Sequence, residues 1–285
     1  MGLDDATTDS YLHRIGAERP DRLDVTALRN LQERHVMSIP FENVDCYCRR
    51  PLGLGQAAAH KIVHRHRGGG CYEQNSAFGL LLRSLGYSVT IMGASVYHGE
   101  NLLGPLRHLV LRVDTPEPWL VDVAFGFGRD RNSRFPLRLD EPSTQPDPHG
   151  TYQLRAASND DIDVIRDGTP LYRLERRPRT VEDFELTLWW FHTNPDSPML
   201  QALFCLLPTE TGRVALKDRT LTHIDDGAKT SVELEDEDEV RAALAKYFGI
   251  SLTEIPDFGK TRHELANIIA TEITSDNQVN GASAA

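Results

Sequence analysis

Apolar and polar residues change rhythm twice along the chain. Up to Gly86 the spacing is helical. In "DVTALRNLQERHVMSI", Asp24 or Thr26 serves as a candidate cap, and Leu28, Leu31 and His35 follow one face of a turn. "GQAAAHKIVHRH" predicts a second helix, and "CYEQNSAFGLLLRSLGY" a third that ends on Gly86. From Tyr87 the period falls to two. "YSVTIMGASVY", "RHLVLRVD" and "PWLVDVAF" read as strands, and "TYQLRAA", "DIDVIRD" and "LYRLERR" continue them beyond a polar surface loop, "DEPSTQPDPHG". After about residue 181 the pattern mixes. "VEDFELTLWWFHTN" predicts a helix, and "LQALFCLLP", "GRVALKD", "RTLTHID" and "TSVELE" predict strands. "DEDEVRAALAKYFG" is a helix with acidic residues where the dipole favours them, and "RHELANIIATEIT" is a last helix before a disordered tail. The expected organisation is α+β: a helical bundle over 1–86, an antiparallel barrel or sandwich over 87–180, an α/β unit over 181–275 and a tail over 276–285.

Composition narrows the function classes. The 285 residues are 40% hydrophobic and 26% charged, ordinary values for a globular protein, and the net charge of −11 disfavours nucleic acid and anionic membranes as partners. "MGLDDATTDSYLHRIG" lacks the cationic and apolar regions of a secretory signal, and no apolar run is long enough to span a bilayer. Four cysteines in a chain of this size predict reduced thiols in a cytoplasm rather than a disulfide framework. His60 and His64 have helical i, i+4 spacing, but no acidic helper lies between them and basic residues surround them, so no metal site is expected.

One thiol stands apart. Cys46, Cys48 and Cys205 read as small buried hydrophobes. Cys71 follows Gly68–Gly70 in "RHRGGGCYEQN" and opens a helix. Backbone N–H groups and the helix dipole favour an anion there, and a thiolate is the nucleophilic form. No Gly-Lys-Ser/Thr follows the glycines, which disfavours a phosphate loop. A nucleophile needs a base and the base an orienter. Alternation puts His108, Val110 and Arg112 on one face of "RHLVLRV". Asp122 lies in the apolar run "WLVDVAFG", where an unpartnered carboxylate would be costly. A hairpin around "DTPEP" centred on Thr115 sets His108 opposite Asp122, and one centred a residue later makes them diagonal neighbours. Both registers leave the two side chains on one face. Spacing alone does not say whether Cys71 joins them.

"RGGGCYEQN", "RHLVL" and "WLVDVAFG", in that order, resemble the arylamine N-acetyltransferases, as do "SIPFENVD" upstream and "FELTLWWFHTNPDSPM" with "GRVALKDRTLT" downstream. The resemblance implies three domains, a helical bundle, a β-barrel and an α/β lid. It also implies ping-pong transfer of acetyl from acetyl-coenzyme A, a cosubstrate rather than a tightly bound cofactor, to an aromatic amine, hydrazine or hydroxylamine. By motif, Cys71 is the acyl acceptor, His108 the proton carrier and Asp122 the group that orients and charges the imidazole, a papain-like constellation. Phe41 and Phe125 match positions near the acceptor pocket, with Gly126 beside them as a further substrate-binding position. Glu42, Arg67 and Asn75 match motif residues that support the loop and active centre.

Four positions depart from the family pattern. Gly70 stands where a larger, often aromatic residue is usual, and Ala124 where a glycine is. Met199 stands where many relatives have a Phe beside coenzyme A, and Tyr97 near a frequent Trp in that role. These departures leave the triad intact and bear on donor and acceptor preference. An alternative within the resemblance is an amide synthase that closes a macrolactam. A cysteine hydrolase fits the triad but not the flanking motifs, and a non-catalytic binding protein does not need the intact triad.

Overall fold

A computed structural model describes residues 2–125 and 132–253. The expected final helix, the 276–285 tail and Gly126 lie outside the described residues. The N-terminal helices are α1 (Asp5–Ile15), α2 (Val25–Ser38), α3 (Val44–Tyr47), α4 (Gln56–His64) and α5 (Cys71–Leu85). Of the two cap candidates for α2, Asp24 takes the role, its Oδ1 accepting from Ala27 N at 3.0 Å. Gly86 ends α5 at φ 103°, a left-handed conformation that suits glycine. A short strand, β1 (Phe41–Glu42), interrupts the helices.

The central sheet is antiparallel throughout. It contains β2 (Ser88–His98), β3 (Asn101–Leu102), β4 (His108–Asp114), β5 (Pro118–Val121), β6 (Leu137–Arg138), β7 (Gln145–Asp147), β8 (Gly150–Ala156), β9 (Ile162–Arg166) and β10 (Thr169–Arg179). The order is β6-β5-β4-β2-β10-β9-β8-β7, with β3 added to β2. β7 falls inside the segment expected to be a loop; its polar residues conceal a short edge strand paired with β8. The two ends of the sheet meet through one side chain. Gln145 on β7 accepts from Arg138 N of β6 at 2.6 Å and donates to Arg138 O at 3.0 Å. The sheet thereby closes nearly into a barrel and satisfies part of its exposed edge.

After a 3-10 turn at Glu182–Phe184, α6 (Glu185–Thr193) leads to a second sheet of β11 (Phe204–Pro208), β12 (Gly212–Lys217), β13 (Thr220–Asp225) and β14 (Ala228–Glu233). Helix α7 (Glu237–Phe248) follows, capped by Asp236 and carrying Glu237, Asp238 and Glu239 in its first turn. The second sheet has a fifth strand that the hydrophobic pattern did not predict: β1 pairs with β11, Phe41 opposite Leu206. Two residues are too few to show a period, and their partner lies far along the chain.

Three apolar cores result. One packs Tyr11, Leu28, Ile62, Phe78 and Leu81 of the helices against Leu109, Leu111 and Val113 of β4. A second fills the barrel with Met92, Val110, Tyr152 and Val164. The third joins the second sheet to α7 through Leu203, Leu216, Val240, Leu244 and Phe248. β4 therefore feeds two cores from its alternate faces, as its alternation predicted.

The glycine loop lies flat on the Pro40–Glu42 segment. Phe41 and Gly69 form a parallel bridge, Glu42 N donates to Gly69 O at 3.2 Å, and Gln74 Nε2 donates to both Pro40 O and Gly69 O. A Cβ on Gly68 would stand 1.8 Å from Pro40 O, a backbone atom that cannot swing aside. Gly68→Ala is therefore expected to destabilise the fold by about 3 kcal/mol, the upper range for overpacking. Gly104→Ala, whose Cβ meets only Arg107 Nε at 4.0 Å, should stay within about 0.5 kcal/mol. Equal urea midpoints for the two variants would contradict the close approach.

Candidate active site

Cys71 is the first residue of α5, directly after Gly70 in extended backbone (φ −78°, ψ −178°). The helix start is held from below. Glu73 Oε2 accepts from Gly70 N at 3.1 Å, while Glu73 Oε1 accepts from Lys61 Nζ at 2.8 Å. Lys61 also reaches Asp45 at 2.9 Å and Glu42 at 3.6 Å. Arg67 pairs with both oxygens of Glu42, at 2.8 and 3.0 Å, and with Asp45 at 3.1 Å. Five buried charged groups, three acidic and two basic, thus share one cluster beneath the loop. Burial raises the Glu73 pKa, with the Lys61 ammonium partly offsetting it. Glu42 and Arg67 belong to this cluster, which braces the backbone just before Cys71 through Glu73 and Gly70 N.

Asp122 follows the end of β5. The register pairs Leu111 with Val121 and Val113 with Trp119, so the hairpin is centred on Pro116. This is the second of the two expected registers, and it sets Asp122 diagonal to His108. The pair meets at 2.7 Å through His108 Nε2 and Asp122 Oδ2, with both residues buried. Asp122 Oδ1 accepts from Asn75 Nδ2 at 3.0 Å and from Ala124 N at 3.1 Å. Asn75 also donates to Leu109 O at 2.8 Å and accepts from Val123 N at 2.9 Å. Burial alone would raise the Asp122 pKa, but the His108 charge and these hydrogen bonds outweigh it and hold the carboxyl below its usual range. Burial likewise opposes the imidazolium, yet the Asp122 carboxylate and a side-chain hydrogen bond with Cys71 raise His108 to about 10.

A cavity of about 750 Å³ opens over these groups. Cys71 and His108 are on its wall, with Phe41, Tyr97, Phe125 and Met199 among its lining residues. Phe125 meets the His108 ring edge-on at 5.0 Å, and Phe41 stacks on Phe204 at 5.8 Å. Tyr97 is tied down at the hydroxyl, which donates to Asp163 at 3.0 Å and accepts from Arg173 at 2.9 Å. The other cysteines differ from Cys71 in setting. Burial pushes Cys46 up to about 12 and also raises Cys48 and Cys205.

Two site residues were not singled out from the sequence. Tyr172, on β10, donates its hydroxyl to Asp122 Oδ2 at 3.2 Å and packs its ring 5.0 Å from His108 and 4.9 Å from Phe125. Its strand is separated from β4 by β2, so no local spacing announces the contact. Asn43 donates to Met199 O at 2.9 Å and Ala202 O at 2.7 Å and accepts from Phe204 N at 2.8 Å. It thereby fixes Met199 on the cavity wall. The signal available was its place in "SIPFENVD", where a buried polar side chain needs partners.

Known proteins resemble this chain over most of its length. A family model described as N-acetyltransferase matches residues 24–257. The arylamine N-acetyltransferase of Mycobacterium tuberculosis is 32% identical over 285 residues, covering 94% of this chain and 97% of that one. The solved M. smegmatis arylamine N-acetyltransferase superposes with a TM-score of 0.79 at 31% identity, over 94% of this chain and 99% of that one. The Mycobacterium marinum enzyme in complex with CoA gives 0.77 at 29%, over 92% and 98%. An acyltransferase fold with a thiol at a helix start is the class defined here. The chain belongs to the arylamine N-acetyltransferase family.

The raised His108 pKa has a consequence for stability. A histidine charged more readily when folded contributes stability that is fully present below the unfolded pKa of about 6.5 and is lost as pH rises toward the folded value of about 10. The urea midpoint should therefore decline across that window, and His108→Gln should remove this part of the slope. His108 ring protons that titrate near the ordinary histidine value in NMR spectra would contradict the assignment.

Proposed function

We propose that the protein transfers acetyl from acetyl-coenzyme A to an arylamine, hydrazine or hydroxylamine through a thioester on Cys71. The observation that carries the reading is the buried His108–Asp122 pair at 2.7 Å, with His108 and the helix-start Cys71 on the wall of one cavity. The CoA complex of the M. marinum relative supports coenzyme A as the donor's carrier. Among the described residues no helix is long and apolar enough to cross a membrane.

The chemistry follows from the arrangement. With the proton on His108, the Cys71 thiolate attacks the acetyl carbonyl. The carbon–sulfur bond to coenzyme A breaks, and the leaving thiolate takes the imidazolium proton. An amine nitrogen then attacks the acetyl-Cys71 carbonyl, His108 receives the amine proton, and the thiolate is released. Asp122 stays ionised and stabilises the imidazolium in both halves. Asn75 and Tyr172 hold Asp122, and so act through it. The charged cluster of Glu42, Asp45, Lys61, Arg67 and Glu73 fixes the loop that presents Cys71.

Intact mass spectrometry with acetyl-coenzyme A and no amine tests the reading. The wild type should gain one acetyl group and Cys71→Ala none. Acetylation that persists in Cys71→Ala would sink the assignment of the nucleophile.

One observation favours a wider substrate range. Unlike Gly68 and Gly69, Gly70 has no steric reason to be glycine. Its φ is ordinary, and an added Cβ would meet only Met199 Cε, at 3.4 Å. The missing side chain leaves space beside Cys71 for bulky aryl amines or for the longer acyl chain of an amide synthase. Gly70→Tyr should lower kcat/KM for a fused-ring amine more than for a one-ring amine while Cys71 still acetylates. Unchanged preference between the two amines would refute the wider site.

A further inference from the structure

Arg107 directly precedes His108, lines the same cavity as Cys71 and is half-buried. Its guanidinium carbon lies 4.6 Å from the ring centroid of Trp190 and 5.7 Å from that of Phe191, both on α6. Cation–π contact of this kind holds the guanidinium beside the rings without consuming its N–H donors. Arg67, Arg112, Arg134, Arg138, Arg173 and Arg179 each bind a carboxylate. Among the described residues no carboxylate pairs with Arg107, although the chain has eleven more acidic than basic charges. A positive group on a cavity wall, with aromatic backing and N–H donors that no carboxylate among the described residues takes, is built to receive an anion.

We propose that Arg107 is a binding residue for an anionic group of a substrate. The proposal rests on the acetyl-transfer reading and adds the chemistry its cavity selects. Two sources share that chemistry: a phosphate of the coenzyme A donor, and a carboxylate on the amine acceptor. The aromatic rings of Trp190 and Phe191 make Arg107 a preorganised fork, so an oxyanion gains two parallel hydrogen bonds without the side chain first having to be ordered. The same stacking couples the strand that starts at His108 to α6, so an anion on Arg107 sits at the junction of barrel and linking helix.

Because the two halves of the ping-pong reaction are separable, they distinguish the sources. In the donor half, acetylation of Cys71 without amine is followed with acetyl-coenzyme A and with S-acetyl-N-acetylcysteamine, an uncharged thioester. In the acceptor half, protein acetylated by uncharged p-nitrophenyl acetate receives 4-aminobenzoate or 4-methylaniline. Arg107→Gln should lower kcat/KM for the anionic partner relative to the neutral one by about ten- to a hundredfold in at least one half, the loss expected of a hydrogen bond to a charged group. A donor-half effect identifies the phosphate, and an acceptor-half effect the carboxylate. Arg107→Lys keeps the charge but not the fork and should show a smaller drop in the same half. A purely structural role for the stacked arginine would weaken anionic and neutral partners alike. Unchanged ratios in both halves for Arg107→Gln and Arg107→Lys would overturn the proposal. Failure of the wild type to acetylate with any donor would overturn the acetyl-transfer reading itself, and this proposal with it.

Discussion

A carboxylate buried as deeply as Asp122 is tolerated only when its charge and lone pairs are met from within the protein. It draws on four separate stretches of chain. β4 supplies His108, α5 supplies Asn75, β10 supplies Tyr172, and the backbone beyond β5 supplies the amide of Ala124. Asn75 ties the arrangement together, because it also donates to Leu109 O and accepts from Val123 N. The helical bundle is thereby tied to the barrel through a buried polar contact. Cys71 and Asn75 share α5, so the contact that satisfies Asp122 also sets the helix that presents the thiol.

A second buried polar cluster does the corresponding work under the loop. Glu42, Asp45, Lys61, Arg67 and Glu73 exchange ion pairs over 2.8 to 3.6 Å. Buried charges of this kind are weak evidence of stability, and their value here is geometric. Glu73 reaches from the first turn of α5 back to Gly70 N, and Gly69 is pressed against the strand of Phe41 and Glu42. Since that strand pairs with β11, the loop bearing Cys71 is bounded by the second sheet as well as by the bundle. The cavity is lined by residues of the helical core, such as Tyr72 and Ala124, and of the barrel core, such as Leu171 and Phe125.

Much of this was legible in the sequence wherever a local rule applied. Period-two alternation placed Leu109, Leu111 and Val113 on one face and His108 with Val110 on the other, and the cores divide along that line. Turn symmetry limited His108 and Asp122 to two relations, of which the diagonal one occurs. The cost of an unpaired buried carboxylate marked Asp122 before any contact was known. Long-range pairing was not legible. Tyr172 reaches Asp122 from β10, three positions from β5 in the sheet. Phe41 and Glu42 join a sheet formed by residues beyond 203, and Gln145 joins the barrel's two ends from within a segment whose composition reads as loop. The resemblance to a family carried the coenzyme A chemistry, which no periodicity encodes.

The central claim is that the Asp122 charge, delivered through His108, makes Cys71 an acyl acceptor. The most direct test is the single-turnover rate of Cys71 acetylation by acetyl-coenzyme A at neutral pH in Asp122→Asn, with folding checked by circular dichroism. An amide cannot stabilise the imidazolium and favours the wrong ring tautomer. The corresponding change in a serine protease costs about 10⁴-fold, so a loss of at least roughly a hundredfold is expected here. A folded Asp122→Asn protein that acetylates at the wild-type rate would contradict the account.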